Sequence, residues 1–221
     1  MNKYIIIVVV LIGSFLIHQI ITKILEKKYT QSLMKSITED EETFSKNLDS
    51  LAVKYIIPIY NREFLRLNYY IIHSNDKKVK EQLSFMEGLK MNNAQHLSLY
   101  QTAFKYFITI NKKTDARNIS RKINAFVDEH NLDKDIKTQY EMEIKIYLDK
   151  DINAIPYIDS ILEECSDQEK AIRYLEKTYI YKENNQLEDA KECMKKVIEY
   201  TTDKTQKQVF IDLLANNLKE L

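Results

Sequence analysis

The chain has 221 residues, room for one sizeable domain and an appendage. It holds only two glycines and two prolines, which excludes hairpin-rich β architectures and every nucleotide site built on a glycine-rich loop, so an all-α fold is expected. Thirty-three Lys and Arg cancel thirty-three Asp and Glu, leaving no global field to draw nucleic acid.

The first predicted element occupies residues 1–26. From Tyr4 to Ile21 the chain reads YIIIVVVLIGSFLIHQII, apolar over about 27 Å at helical rise. No small-x-small cleavage site follows. This predicts one uncleaved transmembrane helix that meets a lipid bilayer through residues 4–21. Lys23, Lys27, Lys28 and Lys35 follow it and only Lys3 precedes it. By the positive-inside rule the expected protein is single-pass, with its soluble part facing the cytoplasm in preference to the outside. Residues 27–37 make a juxtamembrane linker or helix.

Residues 38–203 carry an internal repeat. Triplets spaced as apolar or small residues at +4 and +7 recur as Phe44, Leu48, Leu51; Val79, Leu83, Met86; Ala116, Ser120, Ile123; Ala154, Ile158, Ile161; and Ala190, Met194, Val197. Their first members are separated by 35, 37, 38 and 36 residues in chain order, a period that signals stacked helix pairs. Before each of the last four triplets comes a small or apolar residue with a tyrosine three on: Leu67 with Tyr70, Ala103 with Tyr106, Ile144 with Tyr147, Thr178 with Tyr181. These share one helical face. Thr38 with Glu41, Ser166 with Glu169 and Asn185 with Glu188 read as capping pairs at helix starts. Pro58 falls between helices and Pro156 in the first turn of a helix beginning near Asn153. Residues 204–221 form a closing amphipathic helix with Asp203 as its cap.

Cys165 and Cys193 are too few and too far apart for a disulfide framework or a CxxC motif, and read as buried or half-buried thiols. His18, His73, His96 and His130 are scattered without metal-ligand spacing. No metal, no cofactor and no catalytic constellation is expected, so the chain is read as no enzyme.

The segment YLEKTYIYKENNQLEDAKECMKKVIEYTTD, Tyr174 to Asp203, resembles a tetratricopeptide repeat. Tyr174 takes the first large position, Thr178 the small one, Tyr181 the tyrosine, Ala190 the first alanine, Met194 the aromatic slot and Val197 the last. Thr178 stands where glycine or alanine is usual. The resemblance implies an α-solenoid of antiparallel helix pairs, about four pairs after a leading helix, with a C-terminal capping helix. It implies that first-helix side chains line a concave groove for a protein or peptide partner. By repeat register the groove residues are Asn61, Phe64 and Asn68, then Tyr100 and Phe104, then Glu141 and Lys145, then Leu175, Tyr179 and Lys182. This set mixes aromatic residues with few charges, which suits an apolar or aromatic peptide. The expected function is a non-enzymatic, membrane-anchored adaptor or scaffold. The alternative is a signalling receptor of the same fold that senses a peptide or small ligand.

Overall fold

The computed structural model describes residues 23–221 except 26, 34, 39 and 220. Among them every regular element is a helix. The described residues between 23 and 36 are helical and form α1. After it come α2 (Glu41–Leu48), α3 (Leu51–Ile56), α4 (Ile59–Ile72), α5 (Asp76–Glu87), α6 (Asn93–Thr109) and α7 (Lys113–Glu129). The chain continues through α8 (Asp135–Ile144), a widened π turn (Lys145–Asp149), a 3₁₀ turn (Ile152–Ala154), α9 (Ile155–Ile161) and a second 3₁₀ turn (Leu162–Glu164). It finishes with α10 (Asp167–Glu183), α11 (Leu187–Tyr200) and α12 (Lys204–Ala215). The chain divides into two compact units, Met1–Leu99 and Tyr100–Leu221.

The expectation of a single-pass membrane protein is corrected. Among the described residues no helix is long and apolar enough to cross a membrane. The longest, α6, α7 and α10, have 17 residues each, short of the roughly 20 predominantly apolar residues a span needs. The stretch from Tyr4 to Ile21 lies outside the described residues.

In the N-terminal unit, Leu33, Ile37, Phe44, Leu48, Val53, Ile57 and Tyr69 form one buried cluster, in which Phe44 stacks on Tyr69 at 4.3 Å between ring centres. The first triplet holds only in part. Phe44 and Leu48 are buried, but Leu51 is 87% exposed, because α2 ends at Leu48 and the Ser50 hydroxyl caps a new short helix by accepting from Val53 N. The leading segment is thus two helices. Thr38 does not cap α2 either: Asp40 takes that position and accepts from Thr43 N at 2.9 Å. A carboxylate there also suits the macrodipole. Pro58 sits at the N-cap of α4, where its missing N–H costs nothing. The helices α4 and α5 pack as a pair and bury Leu67, Val79, Leu83 and Met86.

In the C-terminal unit, α7 buries Ala116, Ser120 and Ile123. Ala154 and Ile158 are buried with Ile146 and Ile180, while Ile161 remains half-buried. Helices α10 and α11 form the most extensive helix pair, with Ala190, Met194 and Val197 against Leu218. Thr178 is fully buried between them. Its hydroxyl donates to Tyr174 O at 2.9 Å, a bond to the carbonyl one turn back that satisfies the only polar atom threonine adds to a position where glycine or alanine is usual. Ser166 and Glu169 make the reciprocal capping box at the start of α10. Asp203 caps α12, accepting from Gln206 N at 2.8 Å. The closing helix ends at Ala215, six residues before the expected 221; Asn217 and Leu218 then turn through left-handed backbone.

Such left-handed residues punctuate the chain. Ser74, Asn111, Asn131, Asn185 and Asn217 all have φ between 49° and 60°. At Ser74, Asn111 and Asn185 the following N–H reaches back five residues to a carbonyl of the preceding helix: Asn75 to Tyr70, Lys112 to Phe107 and Gln186 to Tyr181. This is the usual helix-ending motif with asparagine or serine in glycine's place. Asn185 therefore ends α10, and does not cap α11 as the sequence suggested.

Candidate functional site

Ser74, Asn111 and Asn185 lie between the two helices of successive pairs, and the fourth such position, between α8 and α9, is Lys150. A straight-chain residue pays about 1 kcal/mol or more for left-handed backbone that asparagine tolerates. Three bonds hold it there. Helix α8 widens into the π turn, so the Lys145 carbonyl accepts from both Lys150 N and Asp151 N. The Lys150 carbonyl accepts from Asn184 Nδ2 at 2.7 Å, and Asn184 is the C-cap of α10.

This turn borders a cleft of about 930 Å³ within the C-terminal unit. Lys105, Ile108 and Thr109 come from α6, Gln139 and Glu143 from α8, Tyr147, Leu148 and Lys150 from the π turn and the residue after it, and Arg173 and Glu183 from α10. Arg173, Gln139 and Glu143 also border a neighbouring cavity of about 330 Å³. Tyr147 and Lys150 border a third, of about 150 Å³, with Leu175, Glu176 and Tyr179.

A rigid polar frame stands behind these walls. Glu176 is only 5% exposed. It accepts a short hydrogen bond from the Tyr147 hydroxyl and two from Arg173 Nη1, at 3.0 and 2.9 Å. Burial pushes the ionisation of Tyr147 up, and the adjacent Glu176 carboxylate pushes it further. Burial works against the charge on Arg173, but the Glu176 carboxylate outweighs it and holds the guanidinium protonated. Arg173 Nε is buried without an acceptor. The Lys150 ammonium lies 5.0 Å from the Tyr179 ring centre and 6.0 Å from that of Tyr147. Burial draws its pKa down, countered in part by Glu183 and Glu176 at longer range.

The residues expected in a groove are distributed differently. Phe64 and Asn68 belong to the N-terminal unit; Phe64 stacks near Tyr60 at 5.5 Å, and Asn68 Nδ2 donates to the Phe64 carbonyl of its own helix at 3.0 Å. Asn61 is exposed. Phe104 is fully buried, edge-on to Tyr140 at 4.8 Å, so it belongs to the core and lines no groove. Tyr100 is half-buried, edge-on to Phe126. Glu141 is exposed and accepts from Asn124 Nδ2. Lys145 supplies a carbonyl to the π turn. Lys182 is half-buried in the last turn of α10. Leu175 and Tyr179 share the smallest of the three cavities.

With Phe104 turned inward, the largest of these clefts is polar and basic where an aromatic surface was expected. Tyr147 entered only as a first-helix tyrosine of the repeat register, and Lys150, Arg173 and Glu176 carried no motif. One signal was available for Lys150: it falls where the other pairs have serine or asparagine between their helices. The chain matches no family model, and comparison with curated proteins and with solved structures finds no match.

Proposed function

We propose that the chain is a non-enzymatic, tetratricopeptide-like adaptor whose C-terminal unit holds a peptide segment of a partner protein in the cleft between α6, α8 and α10. The observation that carries this reading is the cleft itself. At about 930 Å³ it reaches the upper end of the size range of binding pockets. Its lining alternates hydrogen-bonding groups suited to a peptide backbone, Thr109, Asn111 and Gln139, with the apolar side chains of Ile108 and Leu148. The repeat spacing of the triplets and the first-helix tyrosines supports the solenoid assignment, since each helix pair of such an array presents its first helix on the concave side.

The test is site-specific photocrosslinking in cells from Gln139 in the cleft, with exposed Lys77 on α5 as control. The expected result is an adduct with one protein at Gln139 only, mapped to one segment whose synthetic peptide binds the purified chain and protects Gln139 from crosslinking. Adducts identical at the two positions, or a synthetic segment that neither binds nor protects, overturn the reading.

A further inference from the structure

We infer that the cleft selects acidic peptides, binding aspartate or glutamate side chains through Lys150 and Lys105 against the fixed Tyr147–Glu176–Arg173 frame. The inference rests on the adaptor reading above and names the chemistry of the partner.

The charge of the site departs from that of the chain. Over the whole sequence the charges cancel, whereas the cleft is bordered by Lys105, Lys113, Lys150 and Arg173 against only Glu143 and Glu183. The nearby cations Arg117 and Lys177 are each engaged by an aspartate, Asp149 and Asp159. Among the described residues Lys150 takes part in no such pair. Its ammonium is drawn out of water against two tyrosine rings, which compensate a buried charge only in part. A carboxylate arriving in the cleft supplies the missing counter-charge.

The backbone gives an independent reason. A lysine occupies a left-handed position, φ 51°, that the equivalent turns give to Ser74, Asn111 and Asn185. Retained local strain of this kind belongs to positions with a task beyond stability. The turn aims a long cationic side chain at the cleft wall, which asparagine is too short to do.

The occupant is a peptide in preference to a polyanion. Glu143 and Glu183 stand in the same cleft and repel a ligand with a charge on every unit, and two net positive charges release too few counterions to hold a nucleic acid. They suit a segment with one or two carboxylates among neutral residues. Gln139 Nε2 already donates to Glu143 and the Thr109 hydroxyl to the Lys105 carbonyl, so the Gln139 and Thr109 oxygens and the Asn111 amide are what remains to meet its backbone.

The test is an array of randomised octapeptides probed with the full chain and with the double variant Lys105→Gln, Lys150→Gln. Melting temperatures of both proteins establish that the variant is folded. The expected result is enrichment of Asp and Glu among bound peptides. Each acidic hit should bind about tenfold more weakly to the double variant, and the Gln-for-Glu version of that hit should bind both proteins alike. Bound peptides without acidic enrichment, or enrichment that survives in the double variant, overturn the inference and leave the adaptor reading standing. A single-stranded oligonucleotide that displaces the acidic hits at equal charge concentration also overturns it. Absence of binding by any peptide removes both.

Discussion

The side-chain amide of Asn184 donates to the backbone carbonyl of Lys150 at 2.7 Å, 34 residues away in sequence. The same nitrogen reaches the Ile180 carbonyl at 2.8 Å, so the end of α10 clamps the one turn of this type that, among the described residues, uses a lysine. Asn184→Ala removes the clamp and leaves the Lys150 carbonyl to water. The expected loss is about 1 kcal/mol in urea denaturation, with weaker amide-exchange protection at Lys150 and Asp151 than at the turn around Asn111.

Lys150→Asn should act in the opposite direction on stability. Asparagine enters left-handed backbone more readily than lysine, and the substitution also removes a half-buried charge. A gain of about 0.5–1 kcal/mol is expected, read as a higher urea midpoint at unchanged slope. A midpoint below that of the parent chain would show that the stacking on Tyr147 and Tyr179 outweighs the turn.

Core and surface assignments separate cleanly at two residues. Phe104→Ala empties a fully buried site beside Tyr140 and should cost about 3–5 kcal/mol. Leu51→Ala, at a side chain 87% exposed, should stay within about 0.5 kcal/mol of the parent. Equal effects from the two would contradict the break between α2 and α3.

Alkaline pH should destabilise the C-terminal unit. Burial pushes the Cys193 thiol up to about 11 from 9.0 and the Tyr140 hydroxyl up to about 12 from 10.0. In both cases the unfolded chain releases its proton first, so the folded state binds more protons across the interval and stability falls as pH rises. The Cys193 contribution is intact below pH 9 and is lost between about 9 and 11. Urea midpoints should therefore decline over that interval, and the decline should shrink in Cys193→Ala. At pH 8 in native protein, iodoacetamide should modify the half-buried Cys165 and spare Cys193.

Glu176→Gln tests the frame behind the cleft. The substitution leaves Arg173 half-buried without its counter-charge and should cost about 2 kcal/mol. Tyr147→Phe removes one of three bonds to the same carboxylate and should cost less, about 1 kcal/mol. The reverse order would place the weight of the frame on the tyrosine.

Periodicity made the helices legible, because burial at every third or fourth position is written directly in residue type. Val79, Leu83 and Met86, or Ala190, Met194 and Val197, are buried where their spacing puts them. Leu51 misled because an apolar residue in register looks the same whether its helix continues or ends three residues earlier. Capping was legible at Ser166 with Glu169 and at Asp203; Asn185 with Glu188 offers the same kind of pair, but Asn185 closes a helix instead. Phe104 shows why the candidate groove was harder. Register assigns a residue to a helix face, but which side of that face meets Tyr140 depends on how far the next helix leans. The cleft depends on Lys150, and its position follows from a π turn that no local pattern announced.

The pairing of neighbours has a kinetic consequence. Among the described residues, α4 packs on α5, α10 on α11 and α11 on α12, so most packing joins segments adjacent in the chain, and loop closure before each contact is short. Within each unit such local wiring favours folding in microseconds to milliseconds and unravelling in pieces. The first piece to leave should be α12, which has no fully buried residue of its own and covers Met194 and Val197 only through half-buried Phe210, Leu213 and Leu214.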